Sequence, residues 1–396
     1  MSAAVQTRRL GLVDAEAAFD HLLVLAVAVL LSIGLIMVAS ASMSLAERDF
    51  GGPLYFFWRQ LGAIAVGLFM GALMWRVPLK IWEKLGPTLV VVAFLLLLSV
   101  LIPGLGRTVN GSTRWLSVAG VNVVQVSEPA RLLILLYMAG YAVRRNQELR
   151  TTFMGFCKPL LVSVAGCGLL LTQPDFGAAL MLMVVTLAVL FVAGARIRDF
   201  VACGAALVVV GAVIAVAAPY RVVRLTSFLN PWSDPYNTGF QLTQSLIAIG
   251  SGEWAGLGLG GSVQKLFYLP EAHTDFVFAV IAEEFGLVGS VLLIALFGVL
   301  VWRSYVIARQ AAVRERWYAA SVAFGFATWQ AVQVFINIGV NMGILPTKGL
   351  TLPLVSYGRS SILVTLIGIG LLLRVDYENR HGDGRRRPAA ERRVLA

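Results

Sequence analysis

The run HLLVLAVAVLLSIGLIMVASASM, residues 21 to 43, contains no Asp, Glu, Lys or Arg, and comparable runs recur along almost the whole chain. About 20 apolar residues in a helix, rising about 1.5 Å each, cross the hydrocarbon of a bilayer. Inside hydrocarbon a backbone has no water to bond, so each such run must close its hydrogen bonds within itself as a helix. The composition agrees, because a chain that is 58% apolar and only 13% charged cannot cover its greasy surface in water. The expected architecture is an all-α polytopic membrane protein of about ten transmembrane helices, at residues 21–43, 56–75, 85–103, 130–143, 152–172, 176–194, 200–219, 276–302, 318–341 and 357–373.

Most of the 32 basic residues fall on one side of that plan, among them Arg8, Arg9, Arg76, Lys80, Arg144, Arg145, Arg196, Arg309 and the arginines of the tail. The positive-inside rule then puts both termini in the cytoplasm and leaves one large loop, about 220–275, outside between helices 7 and 8. Three parts result: a segment 1–20, a ten-helix domain 21–375 and a basic cytoplasmic tail 376–396. The first 20 residues are polar and precede a run too long for the core of a cleaved leader. The net charge of +11 reads as topology and attraction to membrane lipids, with no nucleic-acid surface implied. Three cysteines and three scattered histidines offer neither a disulfide framework nor a zinc spacing. The GLGLGG at 256–261 lacks the strand-turn-helix setting of a phosphate loop.

Polar residues that are hard to explain structurally concentrate on the outer side. In LPEAHTDFVFAVIAEEFG, Asp275 stands where the large loop meets the eighth span. It is a candidate base, or an ordinary helix N-cap, for which Thr274 and Asp275 are both suitable types. Glu283 and Glu284 would lie about 12 Å further along the helix, where an unpaired carboxylate is costly, so they must face the bundle or a wet cavity. On the ninth span Gln330, Asn337 and Asn341 share a face, with Gln333 nearby, and serve either as interhelical support or as a substrate lining. Glu128 and Arg131 have the spacing of an ion pair at a helix start. Candidate phosphate-binding cations are Arg107, Arg114, Arg131, Arg221, Arg224, Lys265, Lys348 and Arg359. Trp115 is an interfacial anchor or a sugar platform, and Gln173 and Asp175 read as architectural, with Asp175 capping the sixth span.

Four stretches carry a resemblance to a known family. They are GSTRWLSVAGVNVVQVSEPAR, LLTQPDFGAAL, the segment FLNPWSDPYNTGFQ through LPEAHTDFVFAVIAEEFG, and ILPTKGLTLPLVSYG. Together they resemble the SEDS proteins (shape, elongation, division and sporulation) over about 20–380, and the division member more than the elongation member. Three departures stand out: Arg131 replaces the usual lysine in QVSEPAR, Arg359 replaces a glycine in SYGRSS, and GFQ replaces GYQ.

The resemblance implies a peptidoglycan glycosyltransferase that polymerises lipid II on the outer face of the bacterial inner membrane at the division septum. A GlcNAc 4-hydroxyl would attack C1 of a lipid-linked MurNAc, and undecaprenyl pyrophosphate would leave. The family's essential aspartate falls on Asp275, as general base, and its glutamate on Glu128. Substrate binding is then expected of Arg114, Glu128, Arg131, Arg221, Arg224, Lys265, His273, Thr274, Lys348, Ser356 and Arg359, with buried polar support from Glu283, Glu284, Gln330, Asn337 and Asn341. The chain has no recognisable metal cage, so a divalent cation, Mg or Mn, would be shared with the pyrophosphate. Implied partners are the nascent glycan strand, a class B penicillin-binding transpeptidase (FtsI) and the FtsQ, FtsB and FtsL assembly. A lipid II flippase and a non-catalytic division scaffold remain open as alternatives.

Overall fold

The computed structural model describes residues 19–109, 111–118, 121–216, 227–347 and 349–382. The helices are α1 (His21–Phe50), α2 (Tyr55–Arg76), α3 (Leu79–Ser99), α4 (Ser127–Arg144), the short α5 (Asn146–Thr151), α6 (Phe153–Thr172), α7 (Phe176–Val192), α8 (Ile197–Val216), α9 (Phe240–Ser251), α10 (Val277–Val313), α11 (Trp317–Asn341) and α12 (Arg359–His381). Among the described residues seven of these, α1, α2, α3, α6, α10, α11 and α12, are long and apolar enough to cross a membrane, and α7 is a shorter apolar helix. α4 carries Glu128, Arg131 and Arg144 within its 18 residues, which lowers its apolar content.

The all-α expectation needs one correction. Residues between α3 and α4 form a three-stranded antiparallel sheet, β1 (Gly106–Val109), β2 (Ser112–Val118) and β3 (Val121–Gln125), in the order β1-β2-β3. TRWLSV and VNVVQ alternate weakly and are β-branched, but their short length hides them beside 20-residue apolar runs. Several boundaries also move, among them the end of α1, at Phe50 rather than 43. α10 runs to Val313, well past 302, and α12 continues to His381, beyond the expected start of the tail at 376.

Polar contacts tie the helices together at one end of the bundle. There Asp20 caps α1 by accepting from Leu23 N at 3.0 Å and pairs with Arg303 of α10 at 2.5 Å. Nearby, Glu378 of α12 accepts from Leu79 N at 3.1 Å. Within the bundle, α2 and α12 approach so closely at Gly71 and Gly370 that a Cβ on Gly370 would collide with the Gly71 backbone. Small residues at such crossings allow the close backbone packing that drives helix association in lipid.

α10 is broken near its start. Gly286 has φ 65° and ψ −161°, a conformation open essentially to glycine alone. The break frees backbone groups, and the loop after α9 takes them up. Leu257 N donates to Glu283 O and Gly258 N to Glu284 O, both at 2.9 Å, while Leu287 N donates to Glu253 O at 2.9 Å and Val288 N to Trp254 O at 3.2 Å. Side chains at Gly252 or Gly256 would collide with the carbonyls of Ala282 and Glu284. Gly252 and Gly256 therefore let the loop lie against the helix backbone. Gly286→Ala is expected to cost about 2 to 3 kcal/mol in backbone strain alone. Thermal melting and proteolysis of the 252–268 loop would register it; an unchanged melting temperature and cleavage pattern would contradict it.

Candidate functional site

Asp275 lies two residues before α10, in a turn built on Glu271. Glu271 itself adopts a left-handed φ of 56°, and its carbonyl accepts from the backbone N–H groups of Thr274, Asp275 and Phe276. A non-glycine residue held there stores strain, which is common beside functional groups. The N-cap reading of Asp275 does not hold: the cap residue is Phe276, with no side-chain cap, and Asn341 Oδ1 accepts from Ala279 N at 3.1 Å in that role. The Asp275 carboxyl is thus left available, half-buried at the end of the bundle.

Its electrostatics are unusual. Burial pushes the Asp275 carboxyl up from the ordinary aspartate range to about 7; neighbouring Glu271 adds to the rise, and Arg114 opposes it. An aspartate so placed holds its proton until near neutrality and is then a competent base. Arg114, on β2, also stands 3.9 Å from Asp175. The sheet that the sequence did not reveal is what carries this cation to the site. Asp175 anchors that corner, capping α7 through Ala178 N at 3.1 Å and accepting from Ser127 Oγ at 3.1 Å. The architectural role expected of Asp175 is what the geometry shows.

The segment between α11 and α12 closes the other side. A Cβ on Gly349 would stand 3.2 Å from Asp275 Oδ2, so the carboxylate rests against this glycine. Asn337 Nδ2 donates to Asp275 O at 2.9 Å and to Leu350 O at 2.6 Å, and Asn341 Nδ2 donates to Asp275 O at 3.0 Å. Gln333 Nε2 donates to Thr351 O at 2.9 Å, and Gln333 Oε1 accepts from Trp329 Nε1 at 2.7 Å. Gln333, Asn337 and Asn341 on α11 thus spend their amide donors on backbone carbonyls. Gln330 stands apart, fully buried with no hydrogen-bond partner for either amide atom.

Several residues expected to bind substrate turn inward. Lys265 Nζ bonds Glu284 Oε1 at 2.6 Å and Ser40 Oγ at 2.9 Å, its side chain only 9% exposed against the fully buried Glu284. Glu283 accepts from Ser262 Oγ at 2.5 Å and Val263 N at 3.0 Å. These two carboxylates inside α10 clamp the preceding loop, one by an ion pair and one by capping a turn. Arg131 pairs with Glu128 at 2.5 Å and lies over the Trp329 ring at 4.3 Å, only 2% exposed, so both residues brace α4 against α11. Ser356 Oγ accepts from Leu352 N at 2.9 Å and is buried within its own turn. His273 packs between Phe56 and Tyr357, its pKa lowered by burial. These contacts share one cause: a charged or polar group near apolar helices is satisfied by the nearest backbone or counter-ion, as expected of Glu283 and Glu284 as buried support.

Thr274 remains half-buried beside Asp275, bonding Glu271 Oε2 at 2.8 Å. Arg359 is half-buried at the start of α12, hydrogen-bonded to the Tyr357 side chain. Arg107 is exposed and Trp115 half-buried, paired across β1 and β2. Arg221, Arg224 and Lys348 lie outside the described residues. Sequence reasoning passed over Gly349, which only its contact reveals, and Gln60, whose amide donates to Ser356 O at 3.1 Å. A lone glutamine in the apolar α2 was a signal for the latter. Among the described residues no cluster of His, Cys, Asp and Glu forms a metal cage.

Comparison with known proteins bears on the whole chain. The Cell cycle protein family model for FtsW, RodA and SpoVE matches residues 20–381. The probable peptidoglycan glycosyltransferase FtsW of Thioalkalivibrio sulfidiphilus is 53% identical over 356 residues, covering 90% of this chain and 89% of that one. Its counterpart in Coxiella burnetii is 48% identical over 365 residues, covering 92% and 97%. A chain of a peptidoglycan synthase complex, solved to show how polymerization and crosslinking are coordinated, superposes with a TM-score of 0.76 at 32% identity, covering 92% and 98%. The rod shape determining protein RodA of Thermus thermophilus gives 0.68 at 30% identity, with the same coverage. With the family model, the motifs and the fold in agreement over nearly the full length, the chain belongs to the FtsW/RodA/SpoVE family, the SEDS proteins.

Proposed function

We propose that this protein is a peptidoglycan glycosyltransferase that polymerises lipid II during septal cell-wall synthesis, with Asp275 as the general base for the acceptor GlcNAc 4-hydroxyl. The observation that carries the reading is the Asp275 carboxyl itself, half-exposed, free of capping duty, held at about 7 and facing Arg114 across the site. Undecaprenyl pyrophosphate is already a good leaving group, so one base and nearby cations suffice. Arg114 and Arg359 are assigned to the phosphates in this reading, with Arg221, Arg224 and Lys348 as further candidates. In this reading ten helices span the bacterial inner membrane, both termini are cytoplasmic, and Asp275 faces outward with the loop between α8 and α10. Any Mg or Mn ion is shared with the substrate pyrophosphate. A class B transpeptidase supplies cross-linking, and FtsQ, FtsB and FtsL are expected partners.

The flippase reading depends on a polar lane through the bundle. Glu283, Glu284, Asn337 and Asn341 instead spend hydrogen bonds on the loop, on Lys265 and on backbone carbonyls. The deciding experiment reconstitutes the full chain with its transpeptidase partner in liposomes bearing lipid II. Glycan polymer is the expected product. Transfer of lipid II between leaflets without polymer would overturn the assignment in favour of transport, and neither activity would leave only a scaffold.

A further inference from the structure

We infer that Asn337 and Asn341 are positioning residues for the Asp275 carboxylate, acting through its main-chain carbonyl; this rests on the base reading of Asp275 above. The Asp275 carbonyl accepts two amide donors, one from each asparagine, at 2.9 and 3.0 Å. The same Asn337 amide nitrogen donates to Leu350 O at 2.6 Å. One side chain thereby joins the turn that bears the base to the segment that packs on it, since Gly349 is the residue against which Asp275 Oδ2 rests. Asn341 completes the frame, its Oδ1 taking Ala279 N at the start of α10 and its Nδ2 also reaching Asn337 O at 2.8 Å.

The two side chains are fully buried, four residues apart on α11, and neither can be meant for substrate. Their burial is not simply a matter of helix glue. A carboxylate that must take a proton from a sugar hydroxyl has to be held to a fraction of an ångström, and a loop cannot hold it unaided. α11 is the rigid element here, and it reaches the base through two carbonyl contacts and no ionisable group.

The charged and titratable groups that face Asp275 are Glu271 in its own turn and Arg114 from β2, with His273 two residues earlier and Asp175 reached through Arg114. Tyr357 comes from the closing segment, where Lys348 lies outside the described residues. If the frame loosens, the carboxyl shifts relative to these groups, and its proton affinity shifts with it.

The test compares Asn337→Ala, Asn341→Ala, Asp275→Asn and the double variant Asn337→Ala with Asp275→Asn, all as full chains with the transpeptidase partner, using lipid II as probe. Each asparagine variant is expected to lose about 10- to 100-fold in kcat with KM held within about 3-fold, and to move the midpoint of the acid limb of the kcat profile. The double variant should be no slower than Asp275→Asn alone. A role in folding only would lower the yield of folded enzyme while leaving kcat per folded molecule and the midpoint in place, and that result overturns the inference. So does a double variant whose loss is the product of the two single losses. Should the alanine variants fail to fold, Asn337→Asp keeps the volume and replaces the donors; wild-type kcat and midpoint in that variant would equally overturn it. Polymerisation surviving in Asp275→Asn removes the base reading and this inference with it, whereas an inactive Asp275→Asn beside unaffected asparagine variants removes this inference alone.

Discussion

Asp275→Asn is expected to reduce lipid II polymerisation by about 10²- to 10⁴-fold while leaving the protein folded and the fold's partners in place. The amide is close in size and keeps the contact with Gly349, but it cannot take a proton. The pH profile of the parent protein should carry the matching signature. Activity requires the ionised carboxyl, and that carboxyl is pushed up to about 7. Rate should therefore fall as pH drops through about 7, some three units higher than for an ordinary aspartate. Stability runs the opposite way. A carboxyl with a raised folded-state pKa stabilises the fold in acid, and that contribution is lost as pH rises from about 4 through 7. Above pH 7 the asparagine variant should consequently melt no lower than the parent and be more stable by on the order of 1 to 2 kcal/mol once water in the half-open site is allowed for. Polymerisation assays across pH, with melting curves on the same preparations, check both halves; an Asp275→Asn protein that polymerises at the parental rate would refute the base assignment.

The second large effect is on stability. Lys265→Met is expected to cost about 3 to 5 kcal/mol, or roughly 5 °C in melting temperature for a chain of this length, because it leaves Glu284 as a buried charge with only Ser40 to bond it. Glu284→Leu alone should do similar harm by stranding the lysine. Replacing both together removes two desolvated charges at once, so the double variant should recover most of the loss. Activity should follow the single variants downward, since the loop they release leads directly into the turn that holds Asp275. Single variants that melt with the parent would show that the pair contributes nothing net, and a double variant as unstable as either single would show that the loop depends on the pair's geometry instead.

How much of this could be read beforehand differs by element. The apolar runs gave the long helices because hydrocarbon allows one solution to the backbone problem, and α1, α2, α10 and α11 follow with only their ends displaced. Asp275 was legible as an acid at a loop-helix junction. Its freedom from capping was not, because that depends on Asn341 arriving from 66 residues away in sequence. Lys265 shows the same gap from the other side: a lysine in an outer loop looks available for phosphate until the fold places Glu284 and Ser40 around it. The sheet carrying Arg114 was missed since its strands are four to seven residues long, and short alternation is a weak signal beside long apolar helices.

Sequence by itself determined that this protein lives in a membrane, that its helices are drawn from these runs, and that the chemistry gathers on polar residues the apolar composition cannot accommodate cheaply. Hydropathy and residue type are local properties, and they add along the chain without reference to its path. Tertiary structure alone decided which polar groups are consumed and which remain to act. Lys265, Glu283, Glu284 and Arg131 are consumed, whereas Asp275 remains. The reason is physical: a buried polar group without a partner is costly, and the partner within reach is set by packing between segments far apart in sequence.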